Sequence, residues 1–274
     1  MKKLAVKRLL GKVIHRDRAA VSRRVILLYH SIGDSLWAVT AEEFRAQMRW
    51  LHDNAQLMSV EDLLESGDGP GLRVAVSFDD GYATLFRAAA PIAREFGLKP
   101  LVFLNAGFIG NGRRVDPKKL SGVYPGEDFL LWDEVRQLAT EGWSFGSHGI
   151  THIDFTGIHA ILAEAQLRES KAMIEQSLGL PCDTFSYTWG HHNGSVRDLV
   201  SVAGYRYGFA ALHGAVRANF DPLAIPRINI SNEYSLSDFE QIISGDWDFL
   251  SRIQSFRTFV RGFAPAQKSS KPQF

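Results

Sequence analysis

The sequence predicts one α/β domain built from repeated strand–helix units. Short apolar runs of strand length alternate with segments of helical period, and turn chemistry separates them. The chain has 274 residues, 45% hydrophobic and 11% aromatic, enough for one large core. No internal repeat is present. Periodicity by itself leaves an α/β barrel and a doubly wound sheet both open.

The first strand is expected at residues 25–29, an unbroken apolar run of the kind buried on both faces. Thr40 opens a helix over 40–54, and Glu43 three residues on completes a capping box. A second strand at 74–78 leads to a helix over 88–96 that Gly97 ends. Strand 101–104 is followed by residues 105–130, which are rich in glycine and charge and lack a period; they read as a lid or substrate loop. A helix over 132–141 precedes the strand-like run Trp143-Ser144-Phe145, and a long amphipathic helix over 158–178 is closed by Gly179 and Pro181. Strands at 184–187, 207–210 and 225–230 and a helix over 237–256 complete the pattern. The chain thus divides into a basic segment (1–24), a core domain (25–235), a C-terminal helix within 236–263 and a polar tail (264–274) read as disordered.

Composition excludes several classes. A formal net charge of +1 without basic–aromatic interleaving gives no nucleic-acid signature. The single cysteine, Cys182, excludes an intramolecular disulfide and a multi-cysteine zinc site. No apolar run approaches the roughly 18 residues of a membrane span.

Two constellations carry chemistry. In Ser77-Phe78-Asp79-Asp80-Gly81, two adjacent carboxylates follow an apolar strand. Neighbouring strand side chains point opposite ways, so one would be driven into the core unless the pair emerges at an open mouth. Burying an unpaired carboxylate is costly, which favours a metal or a hydrogen-bonded role. A turn at Asp80-Gly81 with Asp79 as a cap is the plainer alternative. Gly146-Ser147-His148-Gly149-Ile150-Thr151-His152 sets two histidines four residues apart after another strand-like run. Such a pair can converge on one ion, and imidazole with carboxylate suits zinc or a neighbouring divalent transition metal. The conjunction is the signal.

These segments resemble the first and second motifs of the NodB-type polysaccharide deacetylases, carbohydrate esterase family 4. The resemblance runs from about Arg24 to about Ser231. Leu27-Leu28-Tyr29-His30 is similar to the "YH" entry strand of one bacterial branch, and Trp132-Asp133-Glu134-Val135 leading into Gly142 and Ile225-Pro226-Arg227-Ile228 also resemble the pattern of that branch. It implies a distorted, incomplete (β/α) barrel with catalytic residues at the C-terminal ends of strands. It also implies metal-dependent N-deacetylation of an N-acetylated sugar in a polysaccharide, glycolipid or lipid-linked saccharide. Asp79 would be the general base, and Asp80, His148 and His152 the ligands of one divalent ion, zinc first, with cobalt, nickel or manganese as alternatives. That donor set leaves positions open for water and substrate.

The chain departs from the family in two places. The third motif, Arg-Pro-Pro-Tyr-Gly, is matched by Ser186-Tyr187-Thr188-Trp189-Gly190, so Ser186 stands where the arginine that holds the base belongs. Tyr187, Trp189 and Arg227 are assigned to substrate or oxyanion contacts, with the main-chain N–H of Trp189 as an oxyanion donor. The fifth motif, Leu-x-His, has no counterpart; the matching late strand holds Arg227 and no histidine. His30 is the first candidate for the missing general acid, with His191, His192 and His213 behind it. The departures also allow a second reading, a carbohydrate-binding relative with weakened catalysis, against which the retained Asp79 speaks. A glycosidase fits poorly, because adjacent carboxylates cannot flank a sugar bond at about 5 Å or more.

The first 24 residues carry nine Lys and Arg against one acid, Asp17. Leu4-Ala5-Val6 is cut off by Lys7-Arg8, short of the roughly seven apolar residues a secretory signal needs. Val6, Leu9, Leu10, Val13 and Ile14 share one helical face ringed by bases. This fits an anionic membrane surface met through residues 1–20, a helix docked on the domain, or a basic arm. The expected location is cytoplasmic, either free or at the membrane periphery, and the expected partner an N-acetylated saccharide.

Overall fold

Seven consecutive buried residues form β1 (Arg23–Tyr29), which pairs in parallel register along its whole length with β3 (Leu72–Phe78). The computed structural model describes residues 2–13, 22–67, 69–116 and 124–251. Around this pair one parallel sheet curls in the order β7-β6-β5-β4-β3-β1-β8. Its other members are β4 (Leu101–Leu104), β5 (Ser144–Ser147), β6 (Thr184–Ser186), β7 (Tyr207–Phe209) and β8 (Ile228–Asn229). A two-residue strand, β2 (Gln56–Leu57), pairs with the start of β3, while β4 takes the end of it. The result is the distorted, incomplete (β/α) barrel.

Helices cover the outer face: α2 (Ala41–Asn54), α4 (Ala90–Phe96), α5 (Trp132–Thr140), α6 (Ala160–Leu178), α7 (Gly194–Val202) and α8 (Leu236–Ser244), whereas α3 (Val60–Glu65) packs its Val60, Leu63 and Leu64 on the inner face with Ile26 and Ala75. The expected Thr40–Glu43 capping box is present on α2, and Gly97 ends α4 in the left-handed conformation at φ 64°. Strand alternation separates two cores. Val25, Leu27, Val74, Val76, Phe78, Val102 and Leu104 pack in the large cluster with the helices. Ile26, Ala75, Leu101, Phe103, Phe209 and Ile225 form a smaller one inside the curl. Continuing the inner parity along the strands leads to Asp79, Asn105, His148 and Ser186. The site is the inner core's polar end.

Two expectations change. The strand at 225–230 shrinks to β8, because Pro226 has no N–H to give a ladder. Ile225 is bridged to Phe209 of β7, while Ile228 and Asn229 pair with β1, so this segment spans the gap between the two ends of the sheet. The helix at 237–256 is broken after Ser244, where Gly245 turns left-handed at φ 93°; helical backbone resumes at Phe249 and runs to the last described residue, Ser251. Helices α3 and α7 and strand β2 went unforeseen. The polar tail, the end of the C-terminal segment and Ile14 lie outside the described residues.

Gly146 marks the tightest point of the inner face. A Cβ there would overlap the Thr184 hydroxyl and lie 2.8 Å from the Phe103 ring. Gly146→Ala is expected to destabilise by about 1–3 kcal/mol through overpacking. Thermal unfolding should show the melting temperature lowered by a few degrees, roughly 2–4 °C per kcal/mol; an unchanged value would mean the inner face has slack.

Candidate active site and metal centre

Asp79 follows the last residue of β3 and keeps that strand's inner parity; its N–H donates to Tyr29 O at 2.9 Å, which sets it beside the end of β1. There it meets Arg227, which is fully buried. Two parallel bonds join them, Nη1 to Oδ1 at 2.7 Å and Nη2 to Oδ2 at 2.9 Å. The remaining donors of the guanidinium go to Ala210 O at 3.3 Å, Ser77 Oγ at 3.3 Å and Ser186 Oγ at 2.7 Å. All five N–H groups are therefore used. Phe103 and Phe209 lie against the guanidinium, 5.1 and 5.8 Å from their ring centroids. Ser186 also donates to Asp79 Oδ2 at 3.1 Å. Burial alone would push the Asp79 carboxyl up. The Arg227 charge, with His148 and His30 adding, outweighs burial and holds it well below the usual carboxylate range.

Asp80 is separated from its neighbour by the backbone. It sits at φ 73°, a conformation rare for residues other than glycine, and so leaves the inner parity for the mouth of the barrel. Its Oδ1 lies 3.7 Å from His148 Nε2 and 3.5 Å from His152 Nε2. Asn105, at the end of β4, donates to the same oxygen at 3.1 Å. The segment 148–152 is stitched in place from several sides. His148 N donates to Leu104 O at 2.8 Å, Ala106 N to Gly149 O at 2.9 Å, and Gly107 N to Ile150 O at 2.9 Å. Gln166 reaches from α6, its Oε1 accepting from the N–H groups of Ile150 and Thr151 at 3.0 Å each. His148 Nδ1 is paired with Ser186 O at 2.7 Å, which makes Nδ1 the protonated nitrogen and leaves the Nε2 lone pair free.

This cluster fits a divalent cation. Donor atoms of Asp80, His148 and His152 lie within 4.8 Å of one another and all three residues are buried. Two ligands about 2.1 Å from one tetrahedral ion stand about 3.4 Å apart, close to the spacings to Asp80. Burial foremost pushes both histidines down to about 4, so each is the neutral imidazole a metal needs. Among the described residues the charge partners of Asp80 are these two histidines, so its negative charge has no cationic side chain to balance it.

The rim is aromatic. Tyr124 stacks between Trp37 at 5.5 Å and Tyr82 at 5.8 Å, and the His30 ring lies 5.7 Å from it. The Tyr124 phenol is pushed up to about 12, by burial first and then by Asp80 and Asp79. Half-exposed Trp189 sits edge-on to His152 at 4.4 Å, in a left-handed turn at φ 52°.

The structure thus gathers Asp79, Asp80, His148, His152, His30, Trp189 and Arg227. It corrects two assignments. Arg227 is a buried partner of Asp79 rather than a substrate contact. Tyr187 is fully buried, packs on Phe185 and gives its hydroxyl to Leu223 O at 2.8 Å, because its place just past β6 points it to the helix side. The reserve histidines are occupied elsewhere: His191 pairs with Asp154 at 2.9 Å, His192 packs on Tyr187 at 4.9 Å, and His213 lies 3.9 Å from Asp248, the partner of Arg23 at the start of β1. Asn105, Gln166, Trp37 and Tyr124 went unforeseen. Asn105 was within reach, since it follows strand 101–104 as Asp79 follows strand 74–78.

If Arg227 holds the charge of Asp79, Arg227→Met should cost about 3–5 kcal/mol, the scale of an uncompensated buried charge. Asp79→Asn in the same chain should recover most of that loss. Urea unfolding of both single variants and the double variant closes the cycle; a coupling under about 0.5 kcal/mol would mean the two sites are independent.

Comparison with known proteins agrees with this geometry. The family profile described as "Polysaccharide deacetylase" matches residues 66–208, more than half of the chain. The Bacillus subtilis protein YxkH is 28% identical over 225 residues, 78% of this chain and 74% of that protein. A Staphylococcus aureus poly-beta-1,6-N-acetyl-D-glucosamine N-deacetylase is 24% identical over 250 residues, 85% of this chain and 81% of that one. Among solved structures, IcaB from Ammonifex degensii shares the fold at a TM-score of 0.70 and 18% identity, covering 83% of this chain and 98% of that one. The Streptococcus pyogenes deacetylase PplD, solved with acetate, does so at 0.68 and 19%, covering 82% and 99%. With the matched segment containing both aspartates and both histidines of the cluster, the chain belongs to the polysaccharide deacetylase family.

Proposed function

We propose that this chain hydrolyses the acetamide of N-acetylhexosamine residues in a saccharide, using one divalent ion, zinc first, on Asp80, His148 and His152. The observation that carries this is the pairing of an uncompensated Asp80–His–His cluster with a separately neutralised carboxylate, Asp79, beside it. A bound ion would polarise the amide carbonyl and acidify water. Asp79 accepts the proton of the attacking water. Arg227 keeps it ionised and fixed in plane; the same ion pair makes it a weak base, suited only to an already acidified donor. The N–H of Trp189 faces the developing oxyanion, and His30, at the end of β1, gives a proton to the leaving amine. Trp37 with Tyr124, and Trp189 beside His152, offer flat apolar faces to sugar rings.

The weakened-relative reading loses its first support. Ser186 replaces the expected arginine in sequence, and Arg227 supplies the guanidinium in space. The substrate of the staphylococcal relative makes a β-linked N-acetylglucosamine oligomer the first to test.

Acetate release from such oligomers by zinc-loaded protein, lost on chelation, tests the reading. Asp79→Asn should retain the ion and lose rate by about a hundredfold or more. His148→Ala combined with His152→Ala should lose the ion itself, read by elemental analysis. Metal loss in Asp79→Asn equal to that in the histidine variant would make Asp79 a ligand, and full activity would remove it from the mechanism.

His30→Ala should flatten the alkaline limb of the rate–pH profile, since that limb reports an acid that must stay protonated. An unchanged limb would assign the proton to another donor.

A further inference from the structure

The N-terminal helix α1 (Lys2–Val13) is held to the domain by one face and leaves the opposite face bare. Arg8 makes two bonds to Asp238 at the start of α8, Nε to Oδ1 at 2.8 Å and Nη2 to Oδ2 at 2.6 Å. Lys7 reaches the Tyr234 hydroxyl at 3.2 Å and lies over the Trp247 ring. Gly11 is the point of closest approach: a Cβ there would lie 2.5 Å from Trp247 Nε1. Glycine disfavours a helix interior, so its presence mid-helix is explained by that contact. Leu4 packs against the core on the same side. Residues 4, 7, 8 and 11 thus form the docked stripe, at the spacing of one helical face.

Half a turn away the helix is apolar and uncovered. Val6 is 57% exposed, Leu9 66% and Leu10 40%. The helix carries no acid, and besides the docked Lys7 and Arg8 it has three further bases, Lys2, Lys3 and Lys12, outside that stripe. The sequence-level choice between docked helix and surface-seeking helix therefore dissolves, because the polar and glycine stripe does the docking and the apolar stripe remains on offer. We infer that α1 presents Val6, Leu9 and Leu10 to the surface of an anionic lipid bilayer, lying in its plane. Charge selects this occupant. A symmetric contact with a second copy would set the same patch against itself, and with it base against base. A bilayer rich in anionic headgroups meets the bases favourably while its acyl boundary accepts the leucines. The inference is independent of the chemistry proposed above.

The test uses the full chain and vesicles of phosphatidylcholine with or without one-third phosphatidylglycerol, read by co-sedimentation. Binding should be at least about tenfold stronger to the anionic vesicles and should fall with added salt. Leu9→Glu with Leu10→Glu should abolish it while leaving the melting temperature unchanged, because neither side chain is buried. Equal binding to both vesicle types, or binding unaffected by the double variant, would overturn the inference. So would a concentration-dependent dimer, seen by sedimentation velocity, that the double variant dissolves.

Discussion

The buried ion pair between Asp79 and Arg227 is the constraint around which the barrel is organised. A guanidinium with no exposed surface is tolerable only if every donor is met and its charge is matched. The fold meets both conditions with residues from four places: Ser77 and Asp79 at the end of β3, Ser186 on β6, Ala210 just past β7, and Arg227 itself beside β8. Phe103 and Phe209 complete the enclosure from β4 and β7. Nearly every strand of the inner face thus contributes to one side chain. The segment that spans the ends of the sheet also delivers the counter-ion, so completing the sheet and preparing the base are one structural event.

The histidine side of the site is built differently. It depends on hydrogen bonds to a loop rather than on strand parity. His148 still belongs to the inner face, but His152 is brought round by a turn whose N–H groups are taken by Gln166 and whose carbonyls are taken by residues following β4. Ser186 links the two halves: its hydroxyl serves Asp79 and Arg227, and its carbonyl orients His148. A small hydroxyl residue is what that position needs once the guanidinium arrives from β8, because an arginine there would bring a second cation to a carboxylate already paired.

What the sequence disclosed follows from which interactions are local. Strand 101–104 and the helix at 132–141 were legible because period and capping are properties of neighbours, and β4 and α5 match them to within a residue. The aspartate and histidine motifs were legible because each is contiguous. The partnership of Asp79 with Arg227 spans 148 positions, and no local pattern encodes it. Its trace was a lone arginine in an apolar late strand. The break in the C-terminal helix is hidden because the apolar period runs on through Trp247 and Phe249, whereas Gly245 turns the chain left-handed before helical backbone resumes at Phe249. Strand β8 was overextended because apolar content suggested a ladder that Pro226 cannot join.

Two adjacent carboxylates serve different ends here because their surroundings differ in charge, not in kind. Asp79 and Arg227 sum to zero, so that pair asks for nothing further and keeps the carboxylate anionic inside the barrel. Asp80 faces two imidazoles that burial keeps neutral, so its cluster carries an uncompensated negative charge in a place where water is scarce. The left-handed turn at Asp80 is what keeps the environments separate, by aiming one side chain along the barrel and the other at its mouth. Were Arg227 directed at Asp80 instead, the cluster would be neutral without an ion and Asp79 would be an unpaired buried charge. The position of a single cation along the inner face therefore decides which aspartate is left to bind metal and which is left to move a proton.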